Sequence, residues 1–387
     1  MKKLVFITGT RADFGKIKIL IKTMQDSDKF DTHVFATGMH MLKKYGLTIN
    51  EIYKSGIENI FPFLNQDDAC GSQMDYILAN TINGFGRYVR EYKPDMIVVH
   101  GDRIESLSAA IVGALNNIPV SHIEGGELSG TIDEHIRHAI SKLSHVHFTS
   151  NINASNRLIQ MGENKESIYL VGSPEIDVML SEDLPELGEV LEYYDIFYKK
   201  YSILLYHSVT TEGGNISKYS KNIVDAVIES GEKFIVLYPN NDTGSNYIFD
   251  EYSRLENNDN FKLLPSIRFE GFLTLLKGAN MIVGNSSSGV REAPVYGIPT
   301  INIGSRQHNR CQHESIINVV EDSALICNSI KDHMHGKKYK KASIFGDGNS
   351  SEKFLEILSD DLFWDVSIQK VFNTLQFIAP QQFKTTI

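Results

Sequence analysis

The sequence predicts an α/β protein of two domains, each a doubly wound parallel sheet, with a ligand in the cleft between them. Three observations predict it. Short apolar runs alternate with helical patterns and are joined by short turns, the signature of parallel strands with crossover helices. Those runs end in polar, glycine-rich turns, and in open α/β sheets ligands bind outside the carboxyl ends of strands. The chain has 387 residues, more than one hydrophobic core usually serves.

Composition narrows the function. Hydrophobic content is 42% and charged content 22%, ordinary for a soluble globular chain. The formal net charge of −10 argues against a nucleic-acid or anionic-membrane surface, though it leaves room for a local basic pocket. Cys70, Cys311 and Cys327 are scattered and odd in number. That fits a reducing cytoplasm and excludes a disulfide framework or a cysteine-rich metal site. No apolar run approaches transmembrane length, and the start of the chain lacks a signal-peptide pattern.

The first strand is Leu4–Ile7, followed by Thr8-Gly-Thr-Arg-Ala-Asp-Phe-Gly15 and a helix carrying Ile17, Leu20 and Ile21. A strand, a small-residue turn and a helix N-terminus make an anion-binding arrangement, and Arg11 can add a bidentate phosphate contact. The turn is not a GxGxxG fingerprint, so no dinucleotide is implied. Thr32–His40 is a second strand ending in Gly38 and His40, and Ile77–Tyr92 is helical in pattern. Asp95–His100 is a buried strand stopped by Gly101-Asp102-Arg103. A helix over Ser106–Leu115 and the strand Ile118–Ile123 follow. That strand runs into Glu124-Gly-Gly-Glu127, and a helix opens near Asp133 with Ile136, Ile140 and Leu143 on one face. Asp102 and Glu124 thus end consecutive strands that should be spatial neighbours. Asp133 reads equally well as a helix N-cap paired with Arg137 one turn on. The strand Val146–Thr149, a helix near Ser155–Met161 and Ile168–Pro174 lead to a domain junction.

The second half repeats the alternation. Ser202–Tyr206 is a strand ending in His207-Ser-Val-Thr-Thr211, and the helix Ile216–Ser230 leads to the strand Phe234–Tyr238. The strand Phe261–Leu264 precedes Pro265-Ser266. Met281–Val283 ends in Gly284-Asn-Ser-Ser-Ser-Gly289, and a helix begins at once with Arg291 and Glu292. Ser286, Ser287 and the free N–H groups there suit a phosphate. Glu292 suits a ribose hydroxyl pair, or else compensates the helix dipole. Thr300–Ile303 is a further strand, and helices near Ser351–Ser359 and Ile368–Ile378 close the chain. The histidines show no HExxH or other metal-ligand spacing, so no metal is expected.

Taken in order, Gly9-Thr-Arg-Ala-Asp-Phe-Gly15, Gly101-Asp-Arg103, His122-Ile-Glu-Gly-Gly-Glu127, Asp133-Glu-His-Ile-Arg-His138, His207-Ser-Val-Thr210, Asn241-Asp-Thr-Gly-Ser245, Gly284-Asn-Ser-Ser-Ser-Gly289 and Arg291-Glu292 resemble the UDP-N-acetylglucosamine 2-epimerases. The resemblance spans Met1 to about Arg310. It is closest to the hydrolysing branch, the bacterial NeuC type and the epimerase half of the animal bifunctional enzyme. The non-hydrolysing branch has Arg-Pro-Glu and His-Val-Glu-Ala-Gly where this chain has Arg11-Ala-Asp and His122-Ile-Glu-Gly-Gly.

The resemblance implies a GT-B-like fold of two Rossmann-like domains. It assigns 1–173 to the sugar and acid/base side and 174–365 to the UDP side, with a final helix in 366–387 packing back on the first. It implies no metal, no nicotinamide and a cytoplasmic homodimer or homotetramer. The reaction would expel UDP from C1 and take the proton from C2, giving a 2-acetamidoglycal. Hydration would then leave free N-acetylmannosamine. Asp102, Glu124 and Asp133 would be the acid/base set and His207 would hold the diphosphate; which acid takes the C2 proton stays open. Arg11 and Arg103 would neutralise phosphate, with Ser286 and Ser287 on its oxygens and Glu292 on the ribose. Ala12 would border the substrate, Ser266 would face the uracil, and Asn240 and Arg306 would add further contacts. A UDP- or GDP-linked 2,4-diacetamido-6-deoxy sugar would use the same motifs. A GT-B glycosyltransferase would share the nucleotide site but would not need three acids at the sugar.

Overall fold

The apolar, β-branched runs build two parallel sheets because a strand buried on both faces favours apolar side chains along its length, with polar ones only where they find hydrogen-bond partners. The computed structural model describes residues 1–66, 73–129, 132–209, 214–239, 244–307, 310–333 and 338–374. The first sheet has seven strands: β1 (Lys2–Thr8), β2 (Phe30–Ala36), β3 (Asn59–Pro62), β4 (Met96–His100), β5 (Val120–Ile123), β6 (Val146–Thr149) and β7 (Ile168–Leu170), ordered β3-β2-β1-β4-β5-β6-β7. The second has six: β8 (Ser202–Leu205), β9 (Phe234–Leu237), β10 (Phe261–Leu264), β11 (Ile282–Gly284), β12 (Thr300–Ile303) and β13 (Ile316–Val319), ordered β10-β9-β8-β11-β12-β13. All registered pairs are parallel and helices cover both faces, so each half is doubly wound, the two-lobed architecture expected.

Strand order reverses between β1 and β4 in the first sheet, and between β8 and β11 in the second. A crevice opens at such a switch point because the crossover helices leave it toward opposite faces. This places the turn after β1 beside the turn after β4, and His207 after β8 beside Asn285 after β11. The backbone N–H of His207 donates to Asn285 Oδ1 at 2.7 Å, and Asn285 Nδ2 returns a bond to the His207 carbonyl at 2.9 Å. Gly284, at φ 135°, lets this turn lie against β8, since a Cβ there would overlap the Leu205 carbonyl.

The last helix expected near Ile368–Ile378 is not present among its described residues, Ile368 to Thr374. Through Thr374 the chain is irregular, and the remainder lies outside the described residues. Its backbone bonds to the first lobe instead: the Ile368 carbonyl meets His145 Nε2 at 3.1 Å, and Asn373 N–H donates to the Gly162 carbonyl at 2.9 Å. A strap tied down in this way has its donors and acceptors committed outward and forgoes the helical ladder. The helix Ser350–Ser359 makes the main return contact, burying Phe354 and Leu358 in the first lobe's core with Phe6 and Phe148. Among the described residues no helix is long and apolar enough to cross a membrane.

Candidate active site

A cavity of 730 Å³ lies between the lobes. The first lobe lines it with Arg11, Ala12 and Lys16, and the second with His207, Ser266, Ser286, Ser287 and Glu292. Seven of the residues singled out in the sequence therefore share one wall. Tyr238, Phe249 and Phe272 add an aromatic side. Ser286 caps the short helix Ser287–Val290, accepting from Ser288 N–H at 3.3 Å. Asn240 lies outside the described residues.

Arg11 is not free to wait for an anion. It forks onto the Glu51 carboxylate, with Nε 2.8 Å from Oε2, and donates to Ser266 Oγ at 2.6 Å across the cleft. The first turn carries its own acid as well. Asp13 is buried and accepts from Thr8 Oγ1 at 2.6 Å and from Gly9 N–H at 3.4 Å. Lys16, one helical turn on, also lines the cavity; it pairs with Glu175 and lies 3.3 Å from Glu292. Gly15 gives the lobes room to approach, since a Cβ on it would meet the Phe269 ring.

The acids lie behind this wall rather than on it. β4 and β5 pair with His100 opposite Ile123, which sets Asp102 and Glu124 on adjoining turns as expected. Glu124 is buried at φ 61°, a left-handed conformation that costs a side-chain-bearing residue on the order of 1–2 kcal/mol. Its Oε1 receives Arg291 Nη2 at 2.7 Å and the Ser173 hydroxyl. Burial alone would raise its pKa, but Arg291 first, then His100 and Lys16, hold it well below the usual carboxylate range. Asp102 accepts from Ser129 Oγ at 3.0 Å and pairs with Arg137. Arg137 and Arg310 outweigh its burial and push its pKa down. Asp133 stands half-buried in the first turn of the helix Ile132–Leu143. The Arg137 guanidinium, which the helix-cap alternative paired with Asp133, reaches inward to Asp102, to Ser129 Oγ at 3.1 Å and to the Glu124 carbonyl at 2.7 Å.

Arg291 joins the lobes, and sequence reasoning gave it no role. It is buried over the Phe345 ring at 4.6 Å and grips three carboxylates: Glu124, Glu127 and, at 2.7 Å, Glu175. Glu127 and Glu175 were equally unassigned. A buried guanidinium demands such partners, so the signal was present in the Arg291-Glu292 motif but its partners were distant in sequence. The cavity thus connects to the acids through Lys16, Glu175 and Arg291.

Other expected contacts are more peripheral. Arg103 is 36% exposed at the start of the helix Ile104–Leu115, with Nε 3.6 Å from Glu105. Arg306 donates to the Asn285 carbonyl at 3.2 Å, bracing the turn that carries Ser286. His207 is buried, and burial with Arg306 nearby drives its pKa well down, so at neutral pH it is an uncharged imidazole. Glu292 is shifted upward, by burial first and by Glu175 second. Of the clustered histidines, His122 pins the Gly101 carbonyl at 2.8 Å and Ser141 Oγ at 3.0 Å, while His135 faces solvent. Among the described residues no group of three or more His, Cys, Asp or Glu is placed to hold a metal ion.

Comparison with known proteins bears on this geometry. The family model described as UDP-N-acetylglucosamine 2-epimerase matches residues 22–359. The UDP-N-acetylglucosamine 2-epimerase of Neisseria meningitidis serogroup B is 45% identical over 375 residues, 96% of this chain and 99% of that protein. A UDP-N,N'-diacetylbacillosamine 2-epimerase (hydrolyzing) from Legionella pneumophila is 33% identical over 92% of this chain and 96% of its own length. The crystal structure of a UDP-GlcNAc 2-epimerase from Neisseria meningitidis bound to UDP-GlcNAc has the same fold, with a TM-score of 0.75, 20% identity and coverage of 92% of this chain and 99% of that one.

Proposed function

We propose, from the premise that this chain belongs to the UDP-N-acetylglucosamine 2-epimerase family, that it is a hydrolysing member converting UDP-GlcNAc and water to N-acetylmannosamine and UDP. The observation that carries this reading is the acid cluster Asp102, Glu124 and Glu127, of which Arg291 ties Glu124 and Glu127 to the second lobe, beside a 730 Å³ cavity with cationic and hydroxyl walls. The cavity takes the nucleotide, and the acids take the sugar. Residues 1–173 supply the acid/base side and 174–365 the nucleotide side. The reading also places the enzyme in the cytoplasm as a homodimer or homotetramer that serves sialic-acid-type sugar synthesis.

Lys16, Ser286 and Ser287 bind the diphosphate oxygens, Arg11 joins them by exchanging the Glu51 carboxylate for phosphate, and Arg306 holds the Asn285 turn against them. An uncharged His207 donates a hydrogen bond to the departing diphosphate without a charge of its own. The C2 proton passes to a carboxylate while the C1–O electron pair leaves with UDP. Water then adds to C1 of the glycal as a proton returns to C2. Asp102, Glu124 and Asp133 are the groups for these transfers. Glu127, straight after the Gly125-Gly126 turn, accompanies the motif that sets this chain apart from the non-hydrolysing branch. The hydrolysing relative in Legionella supports a second reading, a UDP-linked 2,4-diacetamido-6-deoxy sugar as substrate.

Incubation with UDP-GlcNAc alone in deuterated water tests the proposal. UDP and free N-acetylmannosamine carrying deuterium at C2 are expected. Unlabelled sugar would exclude elimination and hydration, UDP-ManNAc would mean the non-hydrolysing reaction, and no turnover without an added acceptor would point to a transferase. Glu292→Gln probes the nucleotide end. It removes a charge-assisted hydrogen bond worth roughly 1.5–3 kcal/mol. KM should therefore rise about tenfold or more while kcat holds. A fall in kcat at unchanged KM would remove Glu292 from the ribose.

A further inference from the structure

None of the roles above uses the buried pair behind Glu124. His100 ends β4 with its Nδ1 2.7 Å from Asp13 Oδ1. Its Nε2 makes no hydrogen bond among the described residues and lies 3.4 Å from Glu124 Oε2. That is the Glu124 oxygen which Arg291 and Ser173 leave open, because both bond Oε1. Asp13 is itself anchored by Thr8 Oγ1 and Gly9 N–H. Three elements meeting at the first sheet's switch point thus hold a line of groups from Asp13 through His100 to Glu124.

We propose that His100, anchored by Asp13, is a positioning residue that aims Glu124 Oε2 at the sugar and exchanges a proton with it during turnover. The inference rests on the functional reading above. The arrangement follows the logic by which a carboxylate fixes an imidazole toward the group it serves. The groups facing His100 are Asp13 from the helix Arg11–Gln25, Glu124 from the turn after β5, and His122 on β5, which burial keeps neutral. His40 reaches the pair through Thr8 Oγ1 at 3.2 Å, and burial brings it down to about 4. The two carboxylates outweigh the burial of His100 and raise it to about 9, so the imidazole carries a proton at neutral pH.

That proton is what hydration of the glycal requires. It passes from His100 Nε2 to the ionised Glu124 Oε2 and from Glu124 on to C2, where the C1=C2 electron pair becomes the C2–H bond. The hydroxyl of water bonds to C1, and its remaining proton goes to a second carboxylate of the acid/base set. Solvent returns that proton to His100. Glu124 is held strongly ionised by Arg291, which makes it a poor store of protons but a good conduit for one.

The test reads the shared proton directly and does not depend on the substrate. In protein with 15N-labelled histidine, the signal absent from His100→Gln identifies His100. Its midpoint is expected near pH 9 in the native protein and at least one pH unit lower in both Glu124→Gln and Asp13→Asn. An unchanged midpoint in Glu124→Gln overturns the proposal, because the two groups then share nothing. With UDP-GlcNAc, His100→Gln should lose kcat by about 100-fold and lose the alkaline limb of its pH profile, with KM within about threefold. A His100→Gln enzyme with native kcat and pH profile would also overturn it. If the native protein releases no free sugar from UDP-GlcNAc, the functional reading fails by itself, and the titration still decides whether the pair is coupled.

Discussion

Replacing Arg291 with methionine is expected to lower the unfolding free energy by about 3–5 kcal/mol, the scale on which removing one partner of a buried ion pair destabilises a fold. Methionine nearly preserves the packing over Phe345, so the loss isolates the charge. Glu124, Glu127 and Glu175 would remain buried, with His100 beside Glu124 and Lys16 beside Glu175 as the remaining cationic contacts. Arg291→Lys should recover part of the loss, since one ammonium cannot reproduce three separate grips. Urea denaturation of the three proteins at neutral pH checks this. A methionine variant within 1 kcal/mol of the native protein would mean that the carboxylates take up protons at little cost.

Glu124→Gln is expected to reduce kcat by about 10²-fold or more, the usual scale for a general acid or base, with UDP affinity little changed. The amide keeps the shape at φ 61° but neither takes nor gives a proton, and it returns only a weak acceptor to Arg291. Some stability should be lost as well, so kcat has to be measured on protein shown to be folded. Calorimetric titration with UDP provides the binding constant. Weakened UDP binding at native kcat would place Glu124 at the nucleotide end of the cleft, away from the sugar.

The parallel strands were legible because each buried run is apolar on both faces, as in Met96–His100 or Phe234–Leu237. The neighbourhood of Asp102 and Glu124 followed from that, since consecutive strands pair. The edge strands Asn59–Pro62 and Ile316–Val319 left no such run because most of their side chains meet solvent or are half-covered. Arg11 was legible as a cation at a strand end, but its engagement by Glu51 depends on a residue 40 positions away. The partners of Arg291 are further still, 164 positions for Glu127 and 167 for Glu124. Nothing local marks such a pair, and only the closing of one lobe upon the other brings it together. The apolar spacing after Ile368 suggested a helix for a similar reason. Val371 and Phe372 stay largely exposed, and the segment is held by backbone bonds that no periodicity reveals.

The return of Ser350–Ser359 to the first lobe sets an order on synthesis. A ribosome completes the first sheet at Leu170, yet Phe354, Leu358 and Phe363, which close that sheet's core against Phe6, Phe148 and Tyr169, come almost 200 residues later. The nascent first lobe therefore leaves the exit tunnel with an apolar face uncovered, and keeps it uncovered while the entire second lobe is made. The lobe that is translated first is the lobe that finishes folding last, so the acids at Asp102 and Glu124 reach their final packing only after the second sheet has already formed.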